Sequence, residues 1–114
     1  MNKMLIKSSA VALIALSMAA CSSIPAPKTE MALSDSAVKD AELAGAREYA
    51  PLELRRANEK MDMAKEAMHE EEYEEAKRLA EQAEVDAKLA ASKSYSEKSK
   101  LALQELRESI DLMR

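Results

Sequence analysis

The sequence predicts an all-α protein, an antiparallel helical hairpin or small three-helix bundle with a long C-terminal helix. Three observations predict it. Glycine occurs once and proline three times in 114 residues, and Phe and Trp are absent. Ala, Glu, Lys, Leu, Met and Arg dominate, and these are strong helix formers. Apolar residues recur three and four apart, and no stretch shows the apolar–polar alternation with β-branched enrichment of a strand. A chain this small, with one cysteine and hence no internal disulfide, is marginal unless its helices pack closely or a partner helps.

The N-terminal segment reads as a leader. The first seven residues carry Lys3 and Lys7 and no acid. Ser8 to Ala20 is small or apolar, with Val11, Leu13, Ile14 and Leu16 at its centre. That is a basic n-region and an apolar h-region. It is shorter than the ~20 apolar residues a membrane span needs, and it stops at Ser22-Ser23. Met18-Ala19-Ala20-Cys21 resembles the lipobox of bacterial lipoproteins, with Met18 where such families prefer Leu. The resemblance implies that residues 1–20 are removed and that Cys21 takes the lipid and becomes the N-terminus. The alternative is a plain secretory signal cut after Ala20. That would leave a lone exposed thiol in an oxidising compartment. By resemblance to enteric lipoproteins, Ser22 after the cysteine implies the outer membrane, with the chain on its periplasmic face.

Removing Lys3 and Lys7 with the leader leaves 15 basic residues against 21 acidic ones. A nucleic-acid partner, which needs a basic surface, is excluded. Electrostatic attraction to anionic lipid is disfavoured too, so the lipid on Cys21 has to hold the membrane. Stable anchoring takes two acyl chains or an equivalent signal.

Beyond Cys21 a tether is expected to about residue 33, stiffened by Pro25 and Pro27. Ser34 is a good helix N-cap and Asp35 an acid in the first turn. They place the first helix at about 34–48, its apolar positions Ala37, Ala41 and Ala44 with Val38 and Leu43 beside them. Gly45 either ends this helix early or admits another backbone. Ala50 precedes proline and is pushed out of helix. Pro51 suits the first position of a second helix, 51–68. Its face runs Leu54, Ala57, Met61, Ala64 and Met68. His69-Glu70-Glu71-Glu72 is a turn. A third helix, about 73–113, carries Tyr73, Ala76, Ala80, Ala83, Ala87 and Ala90 on one face, with Leu79 beside it. The two stripes face each other across a short connection, as in an αα-hairpin.

The end of the chain behaves differently. Leu103, Leu106, Ile110 and Met113 form a second stripe, well round the helix from the alanines and nearer Val85 and Leu89. Serines at 92, 94, 96 and 99 lie between the patterns. Either the helix breaks near 92–99 or it runs on and outreaches its hairpin partner. The stripe then packs within the chain, or it is a surface for self-association or for a protein partner.

Two segments resemble known families. Glu71-Glu72-Tyr73-Glu74-Glu75-Ala76 is similar to the inter-helix turn of tetratricopeptide repeats, with Glu71 where that motif usually has Gly. Tyr49-Ala50-Pro51 is similar to the turn between successive repeats. A repeat array needs three or more units, and this chain has about one and a half. Residues 45–91, from Gly45-Ala46-Arg47-Glu48-Tyr49 through Leu79-Ala80-Glu81-Gln82-Ala83, resemble more closely a family of proteobacterial envelope lipoproteins that carry a domain of unknown function. Some members are joined to, or encoded beside, OmpA-like peptidoglycan-binding domains. The resemblance implies a scaffolding role in the envelope, with an OmpA-like protein as one possible partner, and names no catalytic residue.

The residues themselves offer little chemistry. His69 is the single histidine. Tyr73 stands where a His-Glu-x-x-His motif needs its second ligand, so a solvated turn histidine is the simpler reading. Met61, Met63, Met68 and His69 are soft copper ligands by type, but the methionines fit a core stripe better. The acids from Glu70 to Glu75 lack calcium-loop spacing. No nucleophile–base pair or glycine loop is visible. The expectation is a non-enzyme without metal or cofactor: an anchored adaptor, or else a self-associating spacer or a metal or stress-protective binder.

Overall fold

The structure, a computed structural model, describes residues 23–114. The leader and Cys21 lie outside the described residues. Of the described residues, 86% are helical and none forms a strand. Four helices follow in order: α1 (Lys28–Leu43), α2 (Ala46–Tyr49), α3 (Pro51–His69) and α4 (Tyr73–Leu112). Helix α3 folds back on α4 as an antiparallel hairpin, tied by Lys60–Asp86 at 2.6 Å and Lys93–Glu53 at 2.8 Å. Helix α1 lies along both and runs in the direction of α4. Its start meets the hairpin-turn end through Glu30–Lys77 at 3.5 Å, and Ala41 packs near its end with Ala87 and Ala90.

Alanine builds the core. Ala41, Ala46, Ala50, Ala57, Ala64, Ala76, Ala80, Ala83, Ala87 and Ala90 are buried, with Val38, Leu54, Met61 and Leu79 as the larger members. Small side chains let helix axes approach at the close end of the ~8–10 Å range. On α3 the last buried position is Ala67, with Met68 half-buried against it. Leu43, expected beside the α1 stripe, is exposed.

The first helix differs from expectation. It begins at Lys28, directly after Pro27, so the tether within the described residues is 23–27 and not the stretch to 33. Ser34 is no cap; it sits inside α1, fully buried. The apolar period continues upstream through it to Met31, which packs on the Ala64–Ala80 cluster. A serine nearly as small as alanine joins an alanine core when its hydroxyl finds an acceptor, and the Met31 carbonyl at 3.0 Å supplies one.

Two left-handed residues set the turns. Gly45 (φ 91) ends α1, and its N–H donates to the Glu42 carbonyl at 3.0 Å. At the hairpin turn Glu71 (φ 62) takes the same conformation. Its N–H donates to Met68 O at 3.3 Å, and the Glu72 N–H to Ala67 O at 2.8 Å. That is the Schellman ending of a helix, a position usually filled by glycine.

Candidate functional site

Helix α4 has 40 residues, α3 has 19 and α1 has 16. At 1.5 Å per residue these span ~60, ~28 and ~24 Å. Helix α4 therefore outruns both of its neighbours. Its last buried residue is Ser94, and α2 closes that end of the core, with Lys98 Nζ 5.7 Å from the centre of the Tyr49 ring. Every residue from Lys98 to Arg114 is exposed.

The helix continues through the serine stretch without a break. Ser94 Oγ donates to Ala90 O at 2.7 Å and Ser99 Oγ to Tyr95 O at 2.9 Å, one turn back in each case. Hydroxyls satisfied on their own helix do not compete for its backbone. No glycine or proline lies in α4. Pairs three or four apart line its surface, among them Glu75–Arg78, Glu84–Lys88, Glu97–Lys100 and Gln104–Glu108.

The structure leaves the four stripe residues together and uncovered. Leu103 is 55% exposed, Leu106 57% and Ile110 43%, and Met113 is more open still. Of the two fates open to the stripe, intrachain packing is the one the fold does not use. Val85 and Leu89, on the same side of α4 and more than half exposed, extend the face toward the bundle. Leu101 and Leu112 are exposed on the other side, where α4 would continue its core face. Sequence periodicity found the stripe; that Leu101 and Leu112 also stay bare follows only from the lengths of α1 and α3.

The other sites weighed in the sequence separate. Met61 is buried, Met68 half-buried and Met63 exposed, so the methionines do not converge. His69 is exposed at the end of α3. Among the described residues no three His, Cys, Asp or Glu side chains gather as metal ligands. No described helix is long and apolar enough to cross a membrane. The shifted titrations belong to ion pairs. A hydrogen bond from Lys93 holds the Glu53 carboxyl below its usual range, and Lys39 and Arg78 do the same for Asp35 and Glu75.

Fold and surface together describe a small alanine-cored helical module that carries one uncovered helical arm. Residues 29–106 match the family described as a domain of unknown function, DUF4398, and the chain belongs to it. It is similar to a crystal structure of a DUF4398 family protein from Pseudomonas aeruginosa PAO1. The two are 44% identical, the match covers 79% of this chain and 93% of that one, and the TM-score is 0.74. No curated protein matches the chain.

Proposed function

We propose that the protein is a lipid-anchored, non-catalytic adaptor of the bacterial envelope. It is held at the periplasmic face of the outer membrane through Cys21 and binds protein along the uncovered end of α4. The observation that carries the reading is the stripe Leu103, Leu106, Ile110 and Met113, apolar and exposed on a helix that runs past its own bundle. Contiguous apolar surface of this kind marks interaction sites. The lipobox-like Met18-Ala19-Ala20-Cys21 supports the anchor. The envelope lipoproteins that the sequence resembles, some associated with OmpA-like domains, support the setting.

The geometry suits that role. The tether enters at the hairpin-turn end of the bundle, where Glu30 meets Lys77, and the stripe lies at the far end of α4. From Lys77 to Leu112 the helix covers ~53 Å. A chain anchored at Cys21 therefore presents its binding face well away from its own anchor.

Fractionation and crosslinking test both halves. Cys21→Ala should move the chain from the membrane to the soluble fraction. A Leu106→Glu, Ile110→Glu double variant should stay in the membrane but lose the higher-mass complexes that chemical crosslinking gives with the unmodified chain. Membrane retention without Cys21, or complexes that survive the double variant, would count against the reading.

A further inference from the structure

We infer that Met31 is an oxidisable latch on α1, and that its conversion to the sulfoxide by a peroxide frees the start of that helix. Helix α1 meets the hairpin through two core clusters. To the one nearer α2 it contributes Ala37, Val38 and Ala41, which pack with Leu54, Ala87 and Ala90. To the one beside the hairpin turn, built from Ala64, Ala67, Ala76, Leu79 and Ala80, it contributes Met31, which is half-buried. The other holds on this half are slight. Ser34 Oγ lies 3.0 Å from Met61 Sδ, and a thioether is a weak acceptor. The Glu30–Lys77 pair at 3.5 Å is partly exposed and contributes little. Leu33, in the same turns, is exposed. Pro27 is buried at the helix start, but no side chain caps it. The first turns of α1 are therefore docked mainly by one thioether.

Oxidation acts on that group. A sulfur lone pair attacks one oxygen of hydrogen peroxide, and the S–O bond forms as the O–O bond breaks. The departing hydroxide takes the proton of the transferred hydroxyl and leaves as water. Sulfur is oxidised by two electrons, and a flexible apolar side chain becomes a polar one. Its new oxygen then lies against aliphatic side chains, where a polar group is costly. Met63 and Met113 are more exposed but touch no core cluster. Met68 shares the cluster with Met31, but its helix is also tied to α4 by Lys60–Asp86 and Lys93–Glu53. So the start of α1 is the part that lets go. The consequence rests on the anchored reading above, in which this segment continues the tether. Residues 28–36 cover ~14 Å as helix and up to ~30 Å extended, so the arm of α4 can stand up to ~16 Å further from its anchor.

Hydrogen–deuterium exchange read by mass spectrometry tests this on the full chain, extracted in detergent from expressing cells and treated with hydrogen peroxide. The Met31 peptide should gain one oxygen. The amides from Met31 to Ser36 should then lose protection while those of α3 and α4 keep theirs. Methionine sulfoxide reductases of both stereospecificities should restore it. Met31→Leu keeps the volume and cannot take the oxygen, so in that variant peroxide should leave α1 protected. No sulfoxide at Met31 while the chain stays folded, a sulfoxide there with α1 still protected, or the same loss in Met31→Leu would overturn the latch. Loss of protection across α3 and α4 together with α1 would overturn it too. The readout does not depend on Cys21. A failed anchor therefore leaves the latch standing, and a failed latch leaves the anchored adaptor standing.

Discussion

Ser34 Oγ lies 3.0 Å from Met61 Sδ, inside the contact between α1 and α3. Its proton has two acceptors in reach, that sulfur and the Met31 carbonyl. The hydroxyl is therefore satisfied without water, and the serine packs as an alanine would. Ser34→Ala should shift stability by no more than about 1 kcal/mol, since the bond is neutral and one acceptor is a weak thioether. Ser34→Leu should cost about 1–3 kcal/mol, because the added carbons have no space between the helices. Denaturant unfolding of the two variants checks the ordering, and a larger loss for alanine would contradict it.

The alanine seam sets the helix spacing in the same way. Ala83 is fully buried on α4. Ala83→Leu should cost about 1–3 kcal/mol by forcing the helices apart. A melting curve like that of the unmodified chain would show that the close contact is not needed.

The two left-handed turns give opposite expectations. Gly45→Ala places a Cβ 3.1 Å from the movable end of Lys98 and 3.3 Å from the Tyr49 ring, and the left-handed backbone at φ 91 alone should cost about 1–2 kcal/mol. Glu71→Gly relieves the same conformation at φ 62 and should stabilise by up to about 1 kcal/mol. Equilibrium unfolding of the pair checks both signs.

Most of the fold was legible because its signals are periodic. The alanines of α4 and the Leu54–Ala64 face of α3 follow helical spacing, and Pro51 opens α3 at its first position. The start of α1 was not legible. Ser34 is a good cap by residue type, and only the presence of Met61 across the interface makes it a core residue. The serines of α4 left two readings open, a break or a helix that runs on. They resemble a break until Ser94 and Ser99 bond back to their own helix. Periodicity also marked Leu103, Leu106, Ile110 and Met113 but could not say whether they were covered. That depended on how far α1 and α3 reach, which is a property of the assembled bundle.

Acid should weaken the bundle through Glu53. Its carboxyl joins α3 to α4 by accepting from Lys93, and that bond, with the backbone at the start of α3, lowers its pKa in the folded chain. One of its oxygens, Oε2, is buried without a partner. A carboxyl with a depressed folded pKa contributes stability above the ordinary carboxylate range and loses it as pH falls through the folded value. Glu53→Gln should therefore melt lower than the unmodified chain at pH 7, and the gap should close in acid. A gap independent of pH would place the role of Glu53 in packing. The exposed pairs Asp35–Lys39 and Glu75–Arg78 have the same sign and should contribute little.

We propose that the uncovered stripe of α4 is where this protein meets another chain. Site-specific photo-crosslinking in living cells tests it most directly, with one probe at Leu106 and another at Glu74, which is exposed near the hairpin turn. Discrete protein adducts are expected from Leu106 and none from Glu74. No adducts from Leu106, or the same adducts from both positions, would contradict it.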